Sequence, residues 1–255
     1  QWVVWDCASC GCRTTRHDES VYETLHADAG SSYSRYRELA SACARHFAAR
    51  DADGLRSVLS SHAKYRFVID EISRLGTGGR ILEIGCARGF LTACFILDGL
   101  DVTGVDVSPE AISAAREAFG DHFAVAGSAE LASRGPYDVI YHVGTIGCVA
   151  DPLGLTRQLL QMLKPGGILL FNAPNRDALW SCDQLWFESA PPPDVVTLFP
   201  PGFWRSHFSS LATVEETCGT RPPEQSLALR LRRLCGRGWG RPAPLPVHES
   251  HRPFA

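Results

Sequence analysis

Between residues 80 and 174 the apolar residues keep changing their period, and that alternation limits the fold more than any other feature. Short apolar runs ("RILEI", "DVTGVDV", "HFAVAG", "YDVIYHVG", "ILLFNAP") are separated by longer segments at helical spacing ("GFLTACFILDGL", "SPEAISAAREAFG", "PLGLTRQLLQMLKPGG"). Short runs bounded by turn residues read as strands, and the longer segments as helices. Ser108 and Pro109 stand at the N-cap and first turn of one of them. Strands joined through helices of this length lie parallel, because the crossover must return over the sheet. The expected fold is therefore α/β, a doubly wound sheet with helices on both faces.

The flanks are organised differently. Residues 1–30 read as an irregular, cysteine-containing N-terminal segment. "SRYRELASACARHFAAR" and residues 55–75 have helical spacing and suggest a helical cap over 31–75. The core is expected over 76–218, with an aromatic lid at 176–210, and 219–255 form a C-terminal extension. "LATVEETCG" and "LALRLRRL" fit two late strands, or a strand and a helix.

Composition removes several classes of function. The 255 residues are 45% hydrophobic and 21% charged, with a formal net charge of −3. That is an ordinary globular balance with no electrostatic footprint for nucleic acid or an anionic membrane. No apolar stretch is long enough for a transmembrane helix. Trp2–Cys12 lacks the basic start and long apolar core of a signal peptide. The sequence begins at Gln1 rather than Met, which leaves an upstream segment open. Cys86, Cys94, Cys148 and Cys182 stand among apolar or small residues, as reduced thiols of a cytoplasmic protein do.

The loop after the first of these strands, "ILEIGCARGF", places an acid and then small residues at alternate positions: Glu83, Gly85, Ala87, Gly89. In a doubly wound sheet this loop lies where ligands bind, at the carboxyl ends of the strands. Small residues let a backbone approach a ligand. A dinucleotide fingerprint needs a third glycine, but Leu91 and Thr92 occupy that region. A pyrophosphate is repelled by the Glu83 carboxylate, whereas a sulfonium and an ammonium are attracted. Asp106, ending "VTGVD", suits ribose hydroxyls in either kind of cofactor.

Taken with "VTGVDVSPEAI", "YDVIYHVGTIGCVADP" and "LKPGGILLFNAPN", this loop resembles the class I S-adenosylmethionine-dependent methyltransferases over roughly residues 80 to 175. The resemblance implies a Rossmann-like seven-stranded sheet with its last strand antiparallel. It implies that Glu83, Gly85, Cys86, Ala87 and Gly89 surround the methionine half of S-adenosylmethionine. Asp106 would hold the ribose, Val107 would lie beside the adenine, and Ser128 and Ala129 would contact it. His142, Val143 and Gly144 would lie under the sulfonium. Many relatives read Glu-His where this chain has Gly147-Cys148, which removes any acid–base role of that pair and suggests a wider pocket.

Methyl transfer from a sulfonium mainly needs position and desolvation, with a base for hydroxyl or carbon acceptors. His142 is the best-placed base by motif, although a packed ring is the more expected role, and His207 is a second candidate. Tyr33, Trp180, Trp186, Phe203 and Trp204 are candidates for an apolar acceptor pocket, or equally for a lid that packs on the sheet. The acceptor is expected to be a small molecule, such as a secondary metabolite; oligomeric state is not encoded in these motifs. Two other readings are an NAD-dependent oxidoreductase and a non-catalytic binding protein that keeps the fold. Finally, "CASCGC" has the form of one half of a zinc knuckle, with Cys7, Cys10 and Cys12 as ligands and His17 nearby.

Overall fold

The computed structural model describes residues 3–16, 37–76, 78–126, 135–179, 185–187, 192, 194–218, 226–234 and 251–253. Strands β1 (Val4–Cys7) and β2 (Arg13–Thr15) form a hairpin whose turn uses Gly11 at a φ of +73°. Part of the segment read as irregular is thus ordered; strands this short show no alternation long enough to notice. Helices α1 (Arg37–Ala48), α2 (Ala52–Ser60) and α3 (Ala63–Leu75) follow. Asp51 caps α2 by accepting the Gly54 N–H, and α3 stops at left-handed Gly76.

The alternating region follows in the expected order. It comprises β3 (Ile81–Ile84), α4 (Phe90–Leu97), β4 (Val102–Asp106), α5 (Pro109–Phe119), β5 (Phe123–Val125), β6 (Tyr137–His142), α6 (Pro152–Met162) and β7 (Leu163–Pro174). Then come β8 (Thr197–Leu198), α7 (Phe203–Phe208), β9 (Ala212–Cys218), β10 (Ser226–Arg233) and β11 (His251–Pro253). The main sheet has the order β5-β4-β3-β6-β7-β10-β9. Strands β3 to β7 pair in parallel, while β10 runs antiparallel to both β7 and β9. The expected seven-stranded sheet with its last strand antiparallel is present. A second sheet, β11-β1-β2-β8, joins the N-terminal hairpin to the segment after β7.

Both late segments are strands, and the boundary at 218 is corrected. β10 lies between β7 and β9, so the sheet extends to Arg233. Leu227, Leu229 and Leu231 alternate and are all fully buried. The intervening arginines disguise that period, since a helix with a basic face also fits the string.

Each sheet face has its own core. On one, Leu55, Leu59, Val68 and Ile72 of α2 and α3 pack with Ile81, Phe95 and Tyr141. Helices α1 to α3 are therefore a packed layer of the domain. They also cover α4, whose Leu91 to Phe95 are all buried, which explains a helix without a polar face. On the other face, Leu159 and Leu160 of α6 and Trp204 and Phe208 of α7 pack against Ile140, Phe171 and Leu229. Among the described residues no helix is long and apolar enough to cross a membrane.

Candidate active site

Strand order reverses at β3, which has β4 on one side and β6 on the other, so the crevice of a doubly wound sheet opens at its carboxyl end. The loop from Gly85 to Gly89 leaves β3 at that end. The Gly85 and Cys86 N–H groups both donate to the Val105 carbonyl, at 2.8 and 3.0 Å. Positive φ recurs at Gly85 (+68°), Ala87 (+47°) and Gly89 (+78°). An alanine in that region is strained and must be held there. Asp106 does so: its Oδ2 accepts the Ala87 N–H at 2.8 Å, and its Oδ1 accepts the Ser108 N–H at 2.9 Å. A carboxylate offers about four lone-pair sites, so acceptor capacity for two hydroxyls is left. Beside it Val107 is 65% exposed, an apolar side chain left open at the end of β4.

The glycines are set by protein packing as much as by any ligand. A Cβ on Gly85 would lie 2.5 Å from Thr145 Oγ1, and one on Gly89 would run into the Phe123 ring. Gly144 differs. Its φ is +76° and none of the described residues lies within 4 Å of its Cβ position, while Asn172 Oδ1 accepts its N–H at 2.9 Å. Backbone is thus exposed to the crevice side of β6 at Gly144, with half-buried Val143 before it. Gly147 corrects the expectation of a wider pocket, because a Cβ there would stand 2.6 Å from Pro174 Cγ. Pro174 and Val195 already fill the space of the missing side chain.

Glu83 is 4% exposed and lies on the face opposite His142. Its Oε2 accepts from Thr92 N (3.0 Å), Thr92 Oγ1 (2.5 Å) and Tyr141 Oη (3.0 Å). Burial pushes its pKa up to about 7 against the pull of those donors, and the Asp106 charge adds to the rise. Cys86 is buried too, and desolvation raises its thiol well out of the physiological range. Thr92, Tyr141, Thr145 and Asn172 were not singled out by motif. Only the polar character of Thr92 within an apolar helix hinted at one of them.

His142 takes the more expected, packed role, and His207 lies against Phe203. His142 is completely buried, stacks on Phe171 at 4.7 Å between ring centroids, and has no partner at either ring nitrogen among the described residues. Burial drives its pKa down to about 3, so the ring is neutral and packed. His207 Nδ1 donates to the Phe203 carbonyl at 2.7 Å, and its ring lies over Phe203. Phe203 and Trp204 are also core residues, packed with Phe199, Phe171 and Phe208 rather than lining an open pocket. Trp186 is half-buried. Ser128, Ala129, Tyr33 and Trp180 lie outside the described residues.

At the hairpin, the Cys12 thiol, then the Cys12 N–H and the Cys7 thiol, hold Cys10 below the ordinary thiol range against desolvation, and His207 adds a smaller effect. The buried Cys12 thiol is pushed up instead. A closed zinc site needs four ligands in tetrahedral reach. Among the described residues no three His, Cys, Asp or Glu form a group able to hold a metal, and His17 lies outside them.

A methyltransferase-domain family profile matches residues 60–233, ending where β10 ends. The ubiquinone biosynthesis O-methyltransferase of Xanthomonas campestris pv. campestris is 31% identical over 135 residues, which are 49% of this chain and 56% of that protein. The protein of the same name from Bordetella avium is 29% identical over 116 residues, 43% of this chain and 48% of that one. The chain spans about half the length of these curated relatives. A solved S-adenosylmethionine-dependent methyltransferase from Clostridium acetobutylicum shares the fold, with a TM-score of 0.53 at 13% identity, covering 67% of this chain and 90% of that one. These relatives give no support to an oxidoreductase. With its sheet order, its crevice loop and a profile that spans both, the chain belongs to the methyltransferase-domain family.

Proposed function

We propose that this protein transfers the methyl group of S-adenosylmethionine to a small-molecule acceptor, at oxygen, nitrogen or carbon. One observation carries the reading: the crevice at the end of β3 combines a buried acid, Glu83, with a ribose-competent acid, Asp106, and an exposed apolar neighbour, Val107. The residues suit that cofactor. The open Cβ direction at Gly144 leaves its backbone approachable, and a carboxylate at Glu83 complements an ammonium while disfavouring a pyrophosphate.

When bound, S-adenosylmethionine supplies a methyl group on an already activated leaving group. The chain's part is to hold and orient. Asp106 accepts ribose hydroxyls, Val107 covers the adenine, and the loop from Gly85 to Gly89 sets the path of the methionine moiety. Asn172 fixes the Gly144 backbone. Alignment and exclusion of water are then the chain's main contribution, and a hydroxyl acceptor gives up its proton to a group other than His142. No step of this reading needs zinc; among the described residues the hairpin thiols are not part of a group able to hold a metal.

A hydroxyl acceptor is the first class to test, given the O-methyltransferases among the relatives. The net charge of −3 argues against nucleic acid as the acceptor. A cytoplasmic location belongs to the same reading, supported by reduced thiols at Cys43, Cys86 and Cys94. Calorimetry with S-adenosylmethionine and with NAD, followed by turnover with phenolic, alcoholic and amine acceptors, tests the proposal. Binding of S-adenosylmethionine and release of S-adenosylhomocysteine are expected; binding of NAD alone refutes it, and binding without turnover on any acceptor leaves the non-catalytic reading.

A further inference from the structure

Glu83 presents an asymmetric carboxylate. Among the described residues its three donors converge on Oε2: the N–H and hydroxyl of Thr92 on α4, and the phenol of Tyr141 on β6. The neighbouring strand makes room for this arrangement. A Cβ on Gly104 of β4 would stand 2.8 Å from Thr92 Oγ1 and 3.0 Å from Cys86 Cβ. Tyr141 is held in turn by the edge-to-face ring of Phe95, at 5.6 Å.

We propose that Thr92 and Tyr141 are positioning residues that saturate Oε2 and reserve Oε1 for the ammonium group of the cofactor, so that cofactor binding is linked to ionisation of Glu83. The inference rests on the reading that S-adenosylmethionine is the ligand, and it deepens that reading by assigning the proton linkage.

The sign follows from the surroundings. The titratable groups around Glu83 are Asp106 from β4, the Cys86 thiol of the loop and Tyr141 from β6. Burial, first, and Asp106 raise the carboxyl to about 7, so both forms exist near neutrality. Burial and the Glu83 charge push the Tyr141 phenol well above its usual range, so it only donates. A cation against Oε1 favours the ionised form and expels a proton. Affinity therefore rises with pH through 7 and is lost as pH falls below it. Removing the phenol takes away a donor that favours the ionised form, so the midpoint of this rise moves upward.

The test is calorimetry with S-adenosylhomocysteine from pH 6 to 8, in two buffers of different ionisation enthalpy. That ligand keeps the ammonium and lacks the sulfonium. Wild-type protein should release a fraction of a proton near pH 7. Tyr141→Phe should bind about fivefold more weakly at pH 7, with its midpoint about one pH unit higher and the gap closing as pH rises. Thr92→Val keeps the backbone donor and the side-chain shape, and should shift the profile the same way; it serves should the tyrosine variant fail to fold. A merely structural role would lower affinity equally at every pH, and that result overturns the proposal. So does proton-neutral binding by the wild type. Absence of binding at any pH would instead sink the cofactor assignment on which the inference rests.

Discussion

Replacing His142 with phenylalanine separates a packed ring from a catalytic one. In the folded chain the ring is fully buried, stacked on Phe171, and without a partner at either nitrogen among the described residues. Its pKa falls to about 3, through desolvation. In the unfolded chain a histidine titrates near 6.5. Between those values the unfolded state binds a proton that the folded state refuses, so stability falls as pH falls. At about 1.4 kcal/mol per pH unit, the loss on moving from pH 7 to pH 5 is about 2 kcal/mol. Phenylalanine keeps the stack and removes the titration. At pH 7.5 His142→Phe should match or exceed the wild type, by about 1 kcal/mol, because two unsatisfied nitrogens leave the core. At pH 5 the gap should have widened by about 2 kcal/mol. Urea denaturation of both proteins at each pH measures this, and the carboxylates common to both cancel in the difference. A gap that stays constant from pH 7.5 to pH 5 would refute the buried, neutral assignment. Methyl transfer should survive the substitution; its loss in a variant of undiminished stability would return His142 to the chemistry.

Other outcomes follow from the crevice. Asp106→Ala should weaken binding of S-adenosylmethionine at least tenfold, since charge-assisted hydrogen bonds worth about 1.5–3 kcal/mol are lost; equal affinity by calorimetry would remove Asp106 from the ribose site. Gly89→Ala should destabilise the fold by about 1–3 kcal/mol, because the residue sits at a φ of +78° and its new Cβ would meet the Phe123 ring. A thermal midpoint within a degree of the wild type would show that the loop tolerates a side chain there.

The local rules were legible in the string. "RILEI", "VTGVD" and "YDVIYH" read as strands, and Ser108-Pro109 marked a helix start that the Ser108 side chain indeed caps. The acid and small residues of "ILEIGCARGF" pointed to the crevice loop. β10 was ambiguous because arginines at alternate positions suit a strand edge and a basic helix face alike. Which residue would touch which across the sheet was not legible. Glu83, Thr92 and Tyr141 are separated by up to 58 positions and meet only through the crossover. Likewise, "FWRSHF" showed aromatic content but not burial, and α7 turned Phe203 and Trp204 into the core.

By itself the sequence determined the kinds of element and where the crevice loop lies, because period, caps and turn residues act over a few neighbours. Tertiary structure alone decided that His142 is sealed between sheet and aromatics, that Gly147 makes way for Pro174, and that one oxygen of Glu83 gathers three donors. Those outcomes depend on packing between segments distant in the chain, and burial, pKa and hydrogen-bond geometry exist only once such segments meet.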